Sequence, residues 1–487
     1  MARLSIAIEA LAQPWYIWLF GLSTYGLYVV LWGSVNFISN FLDLSMTAAL
    51  QREVPRQDNE ARAHAAVRFA LMVSVGLTSA AALGISLNAE WISQFVSASP
   101  EDAAQLPHAI AIFAWALPLW TFVEVSTSAA RARRAFGPEI RLRVFWEQVV
   151  RIVAAGLTFS IGFTTDGILI AHLVSLSLTS ILSLRLLRRY YDLKLVLSAP
   201  IDRKLARTMM LSGLALLPSA MSTRALIDAP PVLLNLMLPG AAGARAAGLF
   251  EIGRKLATVP QVVRQAFQYV LAPLTSAQVR ADRTRIAQLY TFASRISTAL
   301  VLPLSGLMIF ASRDIISIYR KEALPAVPIL ALLATGRAVE SIVGPASSII
   351  EMAGHRLLPL INGAVAVALW AVLAAWLVPT DGAWGMAIAV AIASAVPTYL
   401  AVIQLRASDG VSPFDKWVVR GIAIALVGLA AMSLAEFLFN GPVRFVTLVI
   451  MWLATSWVAM RYGLPLEDRI GLGKFSRTLR LDGAKPG

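Results

Sequence analysis

The chain has 487 residues, of which 58% are hydrophobic and only 14% charged, and it carries a formal net charge of +14. A water-soluble chain of this length has about a quarter charged residues, so a soluble globular protein is excluded. It contains no cysteine and four histidines, which removes disulfides, thiolate metal sites and cysteine nucleophiles.

Apolar stretches long enough to cross a hydrocarbon core recur at 4–21, 25–48, 66–88, 108–129, 144–163, 166–187 and 208–236. They continue at 246–273, 287–311, 326–352, 357–378, 383–405, 417–438 and 443–461. The sequence therefore predicts an all-α polytopic membrane protein with about fourteen transmembrane helices. The first is short and interrupted by Pro14, so the count falls to thirteen if it does not span. Met1 to Phe20 lacks a charged start followed by a small-residue cleavage site, so no cleaved signal is expected.

Basic residues fall on alternate loops. Arg52, Arg56 and Arg62 follow the second segment, and Arg131, Arg133, Arg134, Arg141 and Arg143 the fourth. Arg188, Arg189, Lys194, Arg203, Lys204 and Arg207 follow the sixth, and Arg280, Arg283 and Arg285 the eighth. The longest intervening loop, "NAEWISQFVSASPEDAAQLPH", has only Glu90, Glu101 and Asp102 as charges. Cytoplasmic loops collect Lys and Arg, which places both termini in the cytoplasm and that loop outside. Arg313, Arg320, Lys321 and Arg444 break the pattern. The net charge is thus mostly topology, helped by anionic lipid headgroups, and no nucleic-acid partner is expected.

"TYGLYVVLW" (24–32) resembles "AAGLFEIGR" (246–254), and both open an even-numbered segment six segments apart. Downstream of the first, Asn36, Ser39, Asn40, Asp43 and Thr47 recur at spacings of three and four. Downstream of the second, Glu251, Arg254, Thr258, Gln261, Gln265 and Gln268 do the same. Each set forms one stripe on a helix. One central Arg or Asp facing lipid costs about 2.5–3.5 kcal/mol, so both stripes are expected to face protein or a water-filled cavity. Repeated halves meeting at a polar cavity are a transporter architecture. The expected lobes are two pseudo-symmetric six-helix bodies, 1–200 and 201–405, followed by two helices in 406–461 and a basic cytoplasmic tail, 462–487. Pro260, within the eighth segment, predicts a kink.

The charges at membrane depth divide into two groups. Arg224 with Asp228, Glu147 with Arg151, Glu251 with Lys255, and Arg337 with Glu340 are spaced to pair within their helices, which would make them structural. Arg254, Arg264 and Arg295 are assigned no such partner. A guanidinium facing a cavity suits phosphate, and snorkelling to an interface is the structural alternative, strongest for Arg295. Asp43 and Glu124 are ion-coupling candidates that could bind Na⁺ or relay protons, with a cross-helix salt bridge to Arg151 or Arg68 as the alternative. Asp228 and Glu251 are weighed in the same role.

The chain as a whole resembles the Wzx-type polysaccharide or O-antigen flippases (lipopolysaccharide biosynthesis proteins) of the MATE/MOP exporter superfamily. The likeness is carried by "YGLY" and "LDLSMTAALQREVPR" around the second segment, and by "STRALIDAPPVLLNLMLPGAAGARAAGLFEIGRKLA". "LAPLTSAQ", "EMAGHR" and "VPTDGAWGMAIAVAIAS" follow in order. The resemblance implies a transporter rather than an enzyme, in the bacterial inner membrane. Its substrate would be undecaprenyl-diphosphate-linked oligosaccharide, moved from the cytoplasmic to the periplasmic leaflet through a cationic cavity. By position Arg224, Arg254, Lys255, Arg264, Arg295 and Arg337, with Gln261 and Gln265, would hold the diphosphate or glycan. No cofactor is implied beyond H⁺ or Na⁺ coupling, and the implied partners are membrane lipids and the polysaccharide polymerase or chain-length machinery. A lipid II flippase and a MATE-like cation-coupled small-molecule exporter are the rival readings. The excess basic charge of the eighth segment disfavours an exporter of cations.

Overall fold

The computed structural model describes residues 12–57, 59–135, 137, 142, 145–261, 283–353, 355, 357–472, 476, 478, 479 and 481. Every element among them is helical. In chain order they include α1 (12–20), α2 (Leu22–Leu42), α3 (Met46–Glu53), α4 (Glu60–Leu87), α5 (Leu106–Ala132), α6 (Glu147–Ser160) and α7 (Thr165–Tyr190). There follow α8 (Arg203–Met237), α9 (Gly240–Ala257), α10 (Arg283–Phe310) and α11 (Ala326–Ile342). The 53-residue helix Leu357–Asp409 is broken where Gly382 adopts φ 55°, giving α12 (357–381) and α13 (383–409). The described chain then runs through α14 (Lys416–Leu438) and α15 (Gly441–Tyr462).

Among the described residues, eight helices are long and apolar enough to cross a membrane, or nine if the bent pair α2 and α3 counts as one span. The expected segments outnumber these. α11 has 17 residues, just short of a full crossing, and Leu357–Asp409 counts once among the eight although the break at Gly382 divides it into α12 and α13, which match the expected 357–378 and 383–405. α9 ends at Ala257, ahead of the Pro260 expected to disturb it, and residues 262–282 beyond it lie outside the described set. The outer surface is apolar: Leu87, Trp376 and Phe437 are 76%, 73% and 82% exposed, which is hydrocarbon contact rather than a failed core.

The ends of helices obey ordinary capping chemistry. Asn59 accepts from the Ala61 amide at 2.8 Å to start α4, and Asp202 from the Lys204 amide at 3.3 Å to start α8. The Asp415 carboxylate accepts from the Trp417 and Val418 amides at 3.0 and 2.8 Å to start α14.

Packing divides the chain into two compact units, 1–251 and 252–487. In the first, α2 packs along α8, α5 lies between α4 and α7, and α6 pairs with α7. A Cβ on Gly26 of α2 would stand 1.8 Å from the Ala244 carbonyl oxygen, and one on Gly248 would stand 3.2 Å from the Gly26 Cα. The two glycines that open the sequence repeat therefore meet face to face, where small residues let membrane helices approach closely. In the second unit α10 is central, packed on α11, α14 and α15. The end of α9 joins it, with Gly253 so close to Ile329 that a Cβ would lie 2.7 Å from its Cγ2.

Candidate functional site

The stripe on the second segment is not one continuous helix. α2 stops at Leu42, Leu44 and Ser45 take left-handed conformations with φ 48° and 56°, and α3 leaves at 47°. The break has a chemical cause. Asp43 turns its carboxylate forward to cap α3, accepting from the Thr47 amide at 3.2 Å and the Thr47 hydroxyl at 2.9 Å. Ser74 of α4 donates to its other oxygen at 2.7 Å. Asp43 therefore sits at a broken helix rather than in mid-helix as the periodicity predicts.

The break brings together residues that sequence could only list separately. Ser39, Asn40, Asp43 and Thr47 line one small cavity with Trp120, Thr121 and Glu124 of α5. Two of the four acidic ion-coupling candidates, Asp43 and Glu124, are thus on the same void. The basic residues weighed as their structural partners have other engagements: Arg68 donates to the Ala199 carbonyl at 2.7 Å, and Arg151 to Glu147 at 2.7 Å.

A second buried cluster was only half visible. Arg151 pairs with Glu147 as the spacing predicts, and it also donates to the Tyr28 hydroxyl at 2.9 Å. That hydroxyl lies 3.1 Å from His172 Nδ1, and the His172 ring is fully buried, 4.2 Å from Trp32 by ring centroids and 5.7 Å from Phe113. A lone histidine in an apolar segment was the available signal. The outer acidic loop holds another surprise, because Asp102 is buried and accepts from Thr24, Ser99 and Thr165 at 3.0, 2.7 and 2.7 Å. Asp102 ties the loop to α2 and α7.

Arg224 and Asp228 form the expected pair on α8 at 3.6 Å, with Arg224 about a third exposed and Asp228 buried. On α9, buried Glu251 precedes Arg254 by three residues and Lys255 by four, so one carboxylate shares a turn with two half-buried cations. Beyond Pro260, the Gln261 amide faces Arg337 of α11; with its oxygen turned toward the guanidinium it accepts from Nη1 at 2.9 Å and Nε at 3.0 Å, the orientation that satisfies both groups. Arg337 also pairs with buried Glu340 at 2.8 Å. The predicted site residues Arg254, Lys255, Gln261 and Arg337 all belong to the second unit, whereas Arg264 and Gln265 lie outside the described residues.

Arg295 is engaged on both edges of its guanidinium. Nε reaches Asp415 at 3.1 Å, Nη2 pairs with the same carboxylate, and Nη1 reaches Asp468 at 2.5 Å. Its partners come from the segment before α14 and the tail, which same-helix spacing could not reveal. Arg444, one of the residues that broke the charge pattern, is likewise held by Asp314, with Nε to Oδ2 at 3.0 Å and Nη2 to Oδ1 at 2.5 Å.

Among the described residues no group of three or more His, Asp or Glu is placed to hold a metal. What the geometry provides instead is a polar cavity with two acids in one unit and a run of cations and amides in the other.

The fold is similar to those of several solved transporters. A lipid II flippase, MurJ, in its inward closed conformation matches over 93% of this chain and 96% of its own, with TM-score 0.72 and 13% identity. An inward-facing multidrug resistance MATE transporter matches over 84% of this chain and 95% of its own, with TM-score 0.62 and 14% identity. A MOP transporter from Pyrococcus furiosus, described as having a binding pocket of reversed polarity, matches over 84% and 94% with TM-score 0.58 and 13% identity. At those identities the likeness is one of fold. No curated protein matches by sequence. Residues 19–323 match the polysaccharide biosynthesis protein family, and the chain belongs to it.

Proposed function

We propose that the chain is a flippase that moves undecaprenyl-diphosphate-linked oligosaccharide from the cytoplasmic to the periplasmic leaflet of the bacterial inner membrane, with both termini cytoplasmic. The observation that supports this reading best is the cationic run at the end of α9. Arg254 and Lys255 stand three and four residues after Glu251, and Arg254, Lys255, Gln261 and Arg337 all lie in the second unit. Membership of a polysaccharide biosynthesis family fits the substrate class. Carrying a diphosphate and many hydroxyls past hydrocarbon demands fixed cations and amide donors, because desolvating such groups without partners costs several kcal/mol each. Arg254 and Lys255 would hold the diphosphate, Arg224 and Arg337 would add charge, and alternating access would come from rocking of two lobes. No covalent step is needed. The product would pass to the polymerase and chain-length machinery.

A lipid II flippase is the second reading, since MurJ gives a TM-score of 0.72 and lipid II presents the same diphosphate chemistry. The two separate in one experiment. Polyprenyl-diphosphate-linked sugars are quantified in lipid extracts of a strain lacking the gene, complemented with wild type or with Arg254→Ala/Lys255→Ala. The account expects accumulation of a linked oligosaccharide, cured by wild type and not by the double variant. Accumulation of lipid II itself would favour the second reading, and no accumulation of either would sink both.

A further inference from the structure

The last turn of α7 carries Arg188 and Arg189, and the chain then turns into the short helix Leu193–Ser198. The turn borders an open cleft of about 710 Å³, within the range of small-molecule sites. Arg188, Arg189 and Lys194 line it, and among the described residues none of the three side chains has a hydrogen-bond or ion-pair partner. Other basic residues of the same unit do find carboxylates: Arg56, Arg62 and Arg133 meet Glu53, Asp202 and Glu60. Asp192, the carboxylate in the lining, is turned to the backbone, where it accepts from the Lys194 amide at 2.8 Å.

The wall behind these cations is already fixed. His64 of α4 bonds the Glu60 carbonyl through Nδ1 at 2.7 Å and accepts from the Asp192 amide on Nε2 at 3.1 Å, so both ring nitrogens are committed. Tyr191 is buried, donates to the Ala129 carbonyl of α5 at 3.0 Å, and carries the Arg133 guanidinium over its ring. These bonds set the turn before any guest arrives, which lowers the cost of binding one. Beside the cleft Leu195 and Leu197 are 45% and 74% exposed, while Val196 between them is buried. The short helix thus shows apolar side chains on the outside of a protein whose outer surface meets hydrocarbon.

We propose that this cleft binds the headgroup of a lipid carrying two negative phosphate charges, with Arg188, Arg189 and Lys194 on the phosphates and the hydrocarbon along Leu195 and Leu197. Guanidinium forks meet phosphate oxygens in two-point contacts, and lysine adds a point charge. Three cations against one carboxylate leave two positive charges in excess. A single phosphodiester balances half of that excess, and two phosphates balance all of it. Basic pockets beside membrane helices take such headgroups. A polyprenyl diphosphate and a two-phosphate phospholipid share this chemistry. Binding stands independently of the transport reading. The consequence that the cleft collects a polyprenyl-diphosphate substrate ahead of translocation rests on that reading.

The test uses the purified full-length chain in neutral detergent micelles, with bound lipids counted by native mass spectrometry. Cardiolipin, undecaprenyl diphosphate, phosphatidylglycerol and phosphatidylcholine are titrated in separate arms, with inorganic pyrophosphate as the soluble arm. The expected result is a first equivalent of cardiolipin, undecaprenyl diphosphate or both, bound about tenfold tighter than phosphatidylglycerol, one charge-assisted contact being worth about a decade. Arg188→Ala/Arg189→Ala should weaken that equivalent about tenfold or more, and Lys194→Ala replaces it if the double variant does not fold. Arg203→Ala/Lys204→Ala removes two exposed charges of the same loop from outside the cleft and should leave the equivalent unchanged. Tighter cardiolipin identifies a phospholipid as the occupant, tighter undecaprenyl diphosphate the substrate's own headgroup, and either supports the site. Phosphatidylglycerol or pyrophosphate bound as tightly, or equal loss in the two double variants, would overturn the proposal. None of these outcomes touches the lipid-extract experiment, so the two readings fail separately.

Discussion

Arg295 can be either a substrate ligand or a clamp, and its surroundings give the two roles different magnitudes. Its guanidinium bridges Asp415 and Asp468, and the three side chains are 15%, 25% and 16% exposed. Arg295→Met leaves two partly buried carboxylates without their cation. Breaking a fully buried pair costs 3–5 kcal/mol, and with some water still reaching the group we expect about 3 kcal/mol. Asp415→Asn keeps an oxygen for the α14 cap and leaves Asp468 paired, so its cost should be about half, ~1.5 kcal/mol. Asp415→Ala loses the cap as well and should cost about 1 kcal/mol more than Asp415→Asn. Arg295→Met/Asp415→Asn should fall short of the sum of the singles, because the second change removes one of the stranded charges. The absence of cysteine rules out thiol-dye melting, and the 13 tryptophans supply an intrinsic probe. Wild-type melting in Arg295→Met, combined with failure to clear linked sugar from cells, would refute the clamp and make Arg295 a ligand group.

The same group sets an acid limit. Burial alone would push the Asp415 carboxyl up, but hydrogen bonds from Arg295 and from the Val418 amide outweigh it and hold the group below the usual carboxylate range. A depressed folded-state value means the stabilisation is present above the unfolded value of about 3.9 and is lost as pH falls through the folded one. Melting temperature should therefore decline below about pH 4 in wild type, and Asp415→Asn should flatten that part of the profile. Gly26→Ala puts a Cβ 1.8 Å from the Ala244 carbonyl, and we expect a loss of about 3 kcal/mol as α2 is forced off α9. Gly76→Ala, with nothing within 4 Å, is the control and should gain about 0.5–1 kcal/mol from helix propensity. Equal melting of the two glycine variants would contradict the close crossing.

Much of this was legible in the sequence because lipid enforces it. Long apolar runs become helices, since only an intrahelical ladder satisfies the backbone away from water. Same-helix pairs such as Glu147–Arg151, Arg224–Asp228 and Arg337–Glu340 follow from a period of 3.6 and were read correctly. What could not be read depends on segments distant in the chain. Arg295 looked solitary because its carboxylates lie 120 and 173 residues away. The break at Asp43 was hidden because the polar period continues through it, and only the left-handed Leu44 and Ser45 reveal it. The Gly26–Gly248 crossing was visible as a repeat but not as a contact.

The most direct measurement of the central claim is translocation by the purified protein. Liposomes carrying a radiolabelled polyprenyl-diphosphate oligosaccharide are prepared with wild type, with Arg254→Ala/Lys255→Ala, or empty, and the fraction of glycan exposed to an external glycosidase is followed in time. The account predicts that wild type brings the inner-leaflet pool to the outside, while the double variant, folded by the fluorescence criterion, matches empty liposomes. Wild type that leaves the inner pool protected, with or without a Na⁺ or proton gradient, would contradict it.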